Sequence, residues 1–282
     1  FQGSIYFISN NNLCELIPGK KDQIKLVHKT GVQRTEIHAF AFAPNGDLYL
    51  ASNSGFVANT RGTNVYVLHK NADGWDQPQM LNDGKPLVAN PYMIPTDMLF
   101  DDQGRLIIQH IIPGIKTRGP HLMICALELD GLNIKANHTV LNMGNSFGWG
   151  NYGLHLTDEK QLLIAGGATR EIASVSLDGK IQFKTLFTPH QGQNVLPLRE
   201  PTGITMDPQK RIWVSDTGRN QILCFDPQGR LLGRYGYFGN DDDRENIAFS
   251  NPVGLVAVTL EGKTYLYVAD INNQRILKLE VN

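Results

Sequence analysis

The sequence of 282 residues has little cysteine, no excess of either charge and no long apolar run. Its 26 Lys and Arg residues stand against 27 Asp and Glu residues, so no field of one sign is available to attract nucleic acid or an anionic membrane. No apolar stretch approaches the roughly 20 residues that a transmembrane helix requires. These absences predict no membrane span and argue against nucleic acid as the partner.

The residues that are abundant indicate many short strands. The chain has 28 Gly and 14 Pro residues, with Asp-Gly and Asn-Gly turns between short apolar segments. We therefore expect an all-β fold. Phe1–Ser4 resemble the end of a cleavable purification tag, and no initiator Met follows. We treat residues 1–4 as a tag remnant, expect that an upstream segment was removed, and predict that residues 5–282 form a single domain.

One strand pattern repeats along the chain, in the order apolar strand, turn, apolar strand with an aromatic, loop, third strand, Gly turn and fourth strand. The clearest copy spans residues 200–236, and residues 4–28 look like a copy without its first strand. The other copies begin at residues 37, 94, 151 and 251. A period of this length with four strands per copy is typical of a β-propeller.

The ends of the second strands give the number of blades. Equivalent ends fall at Ser9, Ser52, His110, Gly166, Asp216 and Asp270, with spacings of 43 to 58 residues. Because a lone four-stranded sheet cannot bury both faces, the sheets must pack face to face. The sequence predicts a six-bladed β-propeller of four-stranded antiparallel blades. The first blade would lack its first strand and the last blade its fourth, either because an upstream first strand is absent or because the terminal blades are irregular.

Residues 200–236 and 250–281 resemble NHL repeats. Each has Pro-x-Gly followed by an apolar residue in the first strand, and Val-Ser-Asp or Val-Ala-Asp at the end of the second. Asp270, Asn273, Arg275 and Ile276 follow the NHL spacing, whereas Asn220 is displaced by one position. The resemblance implies the six-bladed architecture that NHL propellers share with the gluconolactonase-like and regucalcin-like superfamily.

Each of five loops delivers an arginine just before a third strand. Arg219 and Arg275 lie in short loops near Asp216 and Asp270, where a bond to an acid or carbonyl of the neighbouring blade, which stabilises one blade against the next, explains them. Arg61 and Arg118 lie in loops 8–10 residues longer, each within Thr-Arg-Gly. Loops beyond the minimum length often carry function, so Arg61 and Arg118 are candidate ligand-binding residues, with a structural role as the alternative.

In each repeat one first-strand position corresponds to the proline of Pro-x-Gly. The residue that follows it should line the mouth of the propeller channel. This row consists of His38, Thr96, Tyr152, Thr202 and Val253. Gluconolactonase-like propellers need carboxylate and amide oxygens there for a divalent cation, and peptide-amidating lyase-like propellers need several histidines for zinc. The row offers neither set. We therefore predict no metal and no cofactor, and expect water or a small polar molecule at the mouth.

Three further side chains are candidates for the same face. His110 ends a second strand beside the mouth, with a buried structural histidine as the alternative. Trp149 lies in an aromatic loop at residues 147–153, where it could equally fill the mouth or stack on a ligand. His155 and the acidic loop at residues 240–245 fit structural or solvated roles better. No phosphate loop, nucleophile elbow or HExxH motif occurs.

The three cysteines are Cys14, Cys125 and Cys224, and all fall on third strands of different blades. A disulfide needs Cα atoms within roughly 7 Å, so we expect free, buried thiols. Free thiols favour the cytosol, whereas the expected loss of an upstream segment fits an exported protein or part of a larger chain. The compartment stays open at this point.

Two functions from different classes follow. The first is a binding module that recognises a protein, a peptide or a small anionic or polar ligand on its loop-rich face, through Arg61, Arg118 and the mouth row. The second is a divergent lactonase-, hydrolase- or lyase-like propeller enzyme centred on His38, His110 and Tyr152. RNA binding, which some NHL propellers show, would need a basic surface facing the phosphates and is the least favoured.

Overall fold

The computed structural model describes residues 4–17, 23–30, 37–53, 63–85, 87, 94–112, 121–143, 152–166, 170–184, 198–240 and 247–281. These residues form strands, turns and two single-turn 3₁₀ helices, Leu81–Gly84 and Thr217–Arg219. In the described ranges no helix has the length and apolarity to cross a membrane. The chain divides into two compact units, Phe1–Met143 and Gly144–Asn282.

The first unit contains three antiparallel sheets, which we call blades 1 to 3. Blade 1 consists of β1 (Ile5–Ser9), β2 (Asn12–Ile17) and β3 (Gln23–Lys29). Blade 2 consists of β4 (Ile37–Phe42), β5 (Leu48–Asn53), β6 (Thr63–Leu68) and β9 (Gln79–Met80), with a small hairpin of β7 (Lys70–Asn71) and β8 (Gly74–Trp75) before its last strand. Blade 3 consists of β10 (Ile94–Phe100), β11 (Leu106–Ile112), β12 (His121–Asp130) and β13 (Asn133–Met143).

The second unit contains blades 4 to 6. Blade 4 consists of β14 (Tyr152–Leu156), β15 (Gln161–Gly166), β16 (Glu171–Ser176) and β17 (Ile181–Lys184). Blade 5 consists of β18 (Pro201–Met206), β19 (Ile212–Asp216), β20 (Gln221–Phe225) and β21 (Leu231–Tyr235). A parallel pair, β22 (Tyr237–Phe238) and β23 (Ala248–Phe249), follows. Blade 6 consists of β24 (Pro252–Leu260), β25 (Lys263–Asp270) and β26 (Arg275–Val281).

These sheets confirm the predicted fold class, a six-bladed all-β propeller with three blades in each unit. In every blade the strands pair in chain order, as a meander requires. Among the described residues blades 1 and 6 have three strands and the other four blades have four, which agrees with the prediction that the terminal blades are incomplete.

One tight turn joins the first and second strands of blades 2 to 5. In blade 3 the N–H of Gly104 donates to the carbonyl of Asp101, and in blade 5 the N–H of Lys210 donates to that of Asp207. The fourth residue of each turn has a left-handed backbone, with φ of 74° at Gly104 and 62° at Lys210. The carboxylates of Asp101 and Asp207 accept the side chain of the arginine four residues later, which fixes the turn.

The apolar cores of each unit lie between successive blades. In the first unit one cluster joins blades 1 and 2 around Leu13 and Trp75, and a second joins blades 2 and 3 around Val67 and Ile108. In the second unit one cluster joins blades 4 and 5, and another joins blades 5 and 6. Alternating side chains of each strand therefore face the neighbouring blades, as the two-residue period of a strand dictates.

Two glycines allow the first strands of the second unit to approach closely. A Cβ atom at Gly153 would lie 2.5 Å from the carbonyl oxygen of Thr202, and one at Gly203 would lie 2.2 Å from that of Val253. Both distances are shorter than any real Cβ contact, so only glycine fits. The glycine of the Pro-x-Gly pattern thus sets the spacing between blade 5 and blade 6.

The cysteines are free, as predicted, and Cys125 and Cys224 are buried, whereas Cys14 is only half-buried, so the prediction of a buried thiol was wrong for Cys14. Cys14, Cys125 and Cys224 lie on β2, β12 and β20, which are third strands of the repeat in three blades. Burial raises the pKa of the Cys125 and Cys224 thiols to about 11 in each case. These two thiols are therefore protonated and unreactive near neutral pH.

Candidate functional site

Four of the five predicted mouth residues lie at β-bulges. The register of the first strand shifts between Ile37 and Ala39, between Pro95 and Asp97, between Pro201 and Ile204, and between Pro252 and Leu255. The bulges contain His38, Thr96, Thr202 and Val253, which we call the bulged residues. A bulge places a residue out of line with the ladder and is frequent beside functional sites.

The threonines among the bulged residues are bonded within the protein. Thr96 Oγ1 accepts a hydrogen bond from the side-chain amide of Gln109 at 3.0 Å. Thr202 is buried, and its hydroxyl lies 3.0 Å from that of Ser215 and 3.2 Å from the carbonyl oxygen of Val253. Thr202 therefore connects blade 5 to blade 6.

The other mouth residues differ in their surroundings. His38 is exposed, and Val253 is half-buried. Tyr152 begins β14 in register with Gly166, so blade 4 has no bulge at this position. The side chain of Tyr152 lies outside the described part of the structure, as do Arg61, Arg118 and Trp149. Whether these residues join the bulged residues in one site stays a prediction.

Near the end of each second strand, one residue pairs with the first-strand residue just before the bulge, or with Tyr152 in blade 4, which has no bulge. We call this the strand-end position, and in blades 2 to 6 it holds Ser52, His110, Gly166, Asp216 and Asp270. The sequence pattern identified all five as equivalent, and the structure confirms the equivalence. Their side chains differ sharply: a hydroxyl in blade 2, an imidazole in blade 3, no side chain in blade 4 and carboxylates in blades 5 and 6.

In blades 5 and 6 the strand-end carboxylate is fully bonded. Asp216 accepts the N–H groups of Arg199 and Glu200 and pairs with Arg219 at 3.1 Å. Asp270 accepts the N–H of Ser250 at 2.6 Å and pairs with Arg275 at 2.9 Å. Each carboxylate thus holds the connection that enters its own blade.

These contacts support the structural interpretation of the short-loop arginines. We expected Arg219 and Arg275 to bond acids or carbonyls of the neighbouring blade. Instead, each pairs with the aspartate of its own blade, and Arg275 Nη2 also donates to the carbonyl of Ala248 in the incoming connection. The arginines therefore complete the carboxylate site, because a buried charge needs a partner of opposite sign.

In blade 3 the strand-end position holds a histidine instead. His110 is completely buried, and neither ring nitrogen has a hydrogen-bond partner among the described residues. Burial lowers the pKa of His110 to about 3, so the ring is neutral at physiological pH. A neutral imidazole offers one donor and one acceptor, and both are unsatisfied in the described part of the chain.

Two further polar side chains are also buried, one at the strand-end position of the preceding blade and one adjacent to His110 in the chain. In the described ranges the Oγ of Ser52, at the strand-end position of blade 2, has no partner, and neither does the Oε1 of Gln109. Buried polar groups without partners are rare in folded proteins and point to a bound water or ligand. Sequence reasoning missed Gln109. This residue occupies the position that Ser215 has in blade 5, and no sequence motif marks the change from serine to glutamine.

The described residues do not fit a metal ion. The bulged residues offer one imidazole, two hydroxyls and an apolar side chain, without a carboxylate. Nowhere in the described ranges do three His, Cys, Asp or Glu side chains come together in a way that could hold an ion. Calcium needs six or more oxygen ligands and zinc three or four nitrogen, sulfur or oxygen ligands, so we derive no chemistry through a metal.

A comparison with protein-family models finds a match to the SMP-30/gluconolactonase/LRE-like region over residues 8–238. The chain belongs to this family. The match covers blades 2 to 5 completely and most of blade 1. A search of curated proteins finds no match.

Solved structures similar to this member of the SMP-30/gluconolactonase/LRE-like family share its fold at low identity. A catalytically inactive histidine-to-alanine variant of virginiamycin B lyase from Staphylococcus aureus, determined with quinupristin, is 14% identical with a TM-score of 0.59, and the match covers 99% of this chain and 77% of the other. A streptogramin B lyase is 15% identical with a TM-score of 0.58, covering 99% and 76%. A chain of the nidogen/laminin complex is 13% identical with a TM-score of 0.59, covering 99% and 93%.

Proposed function

We propose that this propeller is a binding module whose ligand contacts blades 2 and 3 at their strand-end positions. The observation that carries the proposal is the ring of His110, which is completely buried and has no partner among the described residues. An unsatisfied buried donor or acceptor costs about 1–3 kcal/mol. A ligand that bonds this ring would remove that cost.

The contrast between the blades supports this location. Blades 5 and 6 satisfy the strand-end position internally through an aspartate and an arginine. Blades 2 and 3 replace the aspartate with Ser52 and His110, which lack the negative charge. Blades 5 and 6 therefore use the polar atoms at this position for their own stability. In blades 2 and 3 the polar atoms at the same position have no partner in the described ranges. The nidogen/laminin complex indicates that this fold can hold a protein partner.

The ligand chemistry rests on the long loops of the same two blades. Arg61 lies in the loop of blade 2 and Arg118 in that of blade 3, each before the third strand. Arginine binds carboxylates through two parallel hydrogen bonds. Together with the neutral, bond-forming side chains of Ser52, Gln109 and His110, they favour an acidic peptide or a small anionic ligand.

Replacing Arg61 and Arg118 together with alanine is expected to weaken the binding of a fluorescein-labelled octaglutamate peptide by about tenfold or more. The melting temperature should stay nearly unchanged, because side chains that bind a ligand and do not pack in the core contribute little to stability. Fluorescence anisotropy measures the affinity and differential scanning fluorimetry the stability.

The matched control is the double variant Lys25→Ala with Lys135→Ala, which removes two exposed positive charges elsewhere in the first unit. Its affinity for the peptide should change less than about twofold at 0.15 M salt. A fall of several degrees in the melting temperature of the arginine variant would assign Arg61 and Arg118 to the stability of the blades. Unchanged peptide affinity would contradict the proposed ligand class.

The alternative proposal is a lyase- or hydrolase-like enzyme. It is favoured by the neutral histidine at the end of β11 and by the solved structures, which include a virginiamycin B lyase made inactive by loss of a histidine. A neutral imidazole can accept a proton, although burial makes His110 a weak base until a ligand changes its surroundings.

Quinupristin, the compound determined with the inactive lyase, tests this alternative directly. Incubation with the protein followed by mass spectrometry should leave the compound intact if the chain is a binding module. A product that disappears when His110 is replaced by leucine would favour the enzyme. A product that persists in that variant would exclude His110 as the base.

A further inference from the structure

A cavity of about 290 Å³ lies at the other end of the first strands of the second unit, away from the bulges. Two equivalent turns form its rim: Thr157, Asp158 and Glu159 of blade 4, and Asp207, Pro208 and Lys210 of blade 5. His155 and Leu156 of β14, Met206 of β18 and Ala257 of β24 form its wall. The cavity therefore has an apolar side and a charged rim.

Most polar groups of this cavity are occupied by the protein. The carboxylate of Asp207 accepts from Arg211 and from the indole N–H of Trp213 at 2.8 Å. The Glu159 carboxylate pairs with the ammonium of Lys210. The hydroxyl of Thr157 accepts the N–H of Gln161 at 3.2 Å. These contacts hold the two turns in place beside each other.

Two groups are left. They are the carboxylate of Asp158 and the ring of His155, which line the cavity and interact electrostatically with each other, while the charge of Asp158 also acts on Lys210. Burial lowers the pKa of His155, and the charge of Asp158 opposes this effect only in part. His155 is therefore a neutral imidazole near the exposed carboxylate of Asp158, and both line the same cavity.

The charge balance selects the ligand. Outside the Asp207–Arg211 pair, two carboxylates, Asp158 and Glu159, face one ammonium, Lys210. Asp158 and Glu159 are exposed, and together with Lys210 they leave the rim with one net negative charge, which favours a cationic ligand. The apolar wall of Leu156, Met206 and Ala257 favours a hydrocarbon group behind that cation.

We propose that this cavity binds a small primary amine with an apolar body. The ammonium would donate to the carboxylate of Asp158 and to the acceptor nitrogen of His155, while the hydrocarbon part lies against Met206 and Ala257. The volume fits a ligand the size of a single aromatic ring with a short side arm. This site is independent of the strand-end positions of blades 2 and 3.

Isothermal titration calorimetry with benzylamine at pH 7.5 and low salt tests the proposal. We expect saturable binding of one benzylamine per chain, and about tenfold weaker binding of benzyl alcohol, which has the same shape without the charge. Asp158→Asn keeps the size of the side chain and removes its charge, so it should also weaken benzylamine binding about tenfold.

The matched control is Asp130→Asn, which removes one exposed carboxylate in the first unit. It should leave the benzylamine affinity within about twofold, since exposed charges at a distance are screened by salt. The proposal is overturned if benzylamine does not saturate, if benzyl alcohol binds equally well, or if Asp158→Asn binds benzylamine like the unchanged protein. A circular dichroism melt of each variant separates loss of binding from loss of fold.

Discussion

Replacing Gly203 with alanine is expected to destabilise the second unit severely. The new Cβ atom would lie 2.2 Å from the carbonyl oxygen of Val253, which also accepts the hydroxyl of Ser215 at 2.6 Å. The backbone of blade 6 would have to move and lose this bond. We expect a loss of about 4 kcal/mol in the free energy of unfolding and a fall on the order of 10 °C in the melting temperature.

Gly254 gives the matched control, because it is the glycine of the same Pro-x-Gly pattern in blade 6. A Cβ atom there would meet nothing closer than the Cβ of Ala269 at 3.9 Å. Gly254→Ala should therefore be neutral or stabilise by up to about 1 kcal/mol, since alanine reduces the entropy of the unfolded chain. Urea denaturation of both variants measures the difference. Equal stabilities would show that the first strands do not approach as described.

Replacing His110 with leucine is expected to have the opposite effect on stability. Leucine has a similar volume and removes two buried ring nitrogens that have no partner among the described residues. The free energy of unfolding should rise by about 2 kcal/mol, and the melting temperature by about 5 °C. The same change should weaken octaglutamate binding, because the proposed site loses its donor and acceptor. A gain in stability with a loss of binding is the pattern expected of a functional residue.

The pH dependence of this effect has a definite sign. The pKa of His110 is about 3 in the folded protein, below its ordinary value of 6.5. Between these values the unfolded chain binds more protons, so the contribution of His110 to stability falls as the pH is lowered through 6.5 towards 3. The advantage of His110→Leu should therefore be larger at pH 5 than at pH 7.5.

The equivalent change in blade 6 distinguishes this explanation from a general tolerance of leucine. Asp270→Leu leaves Arg275 and the N–H of Ser250 without their buried acceptor. We expect a loss of about 3–5 kcal/mol in the free energy of unfolding. If His110→Leu lowers stability as Asp270→Leu does, then His110 is bonded within the protein and the proposed site is wrong.

The fold was predictable because its repeat depends on local patterns. The Val-Ser-Asp and Val-Ala-Asp ends of β19 and β25 identify the second strands, and the strand-end positions follow from them. The incomplete terminal blades also followed, since residues 4–28 lack a first-strand pattern and residues 251–281 end after a third strand. The alternation of side chains along each strand and the turn residues determine these features, so they can be predicted without knowing which distant residues are in contact.

The site was less predictable because its properties depend on partners far along the chain. The sequence placed Thr202 beside a channel, but it does not reveal that the hydroxyl bonds the carbonyl of Val253 fifty-one residues later. It also placed His110 at a strand end without showing whether a partner was present. No motif links His155 to other candidate residues, since the two turns that surround it are adjacent only in the folded unit.

The carboxylates of Asp216 and Asp270 also bear on how the second unit folds. Each captures N–H groups that precede it by only 16 to 20 residues, so blades 5 and 6 can each close their incoming connection locally. Short loops close at a low entropic cost and raise the folding rate, whereas the contacts of Thr202 and Ser215 with Val253 span 38 to 51 residues. Closure within each blade should therefore precede the docking of one blade on the next during refolding.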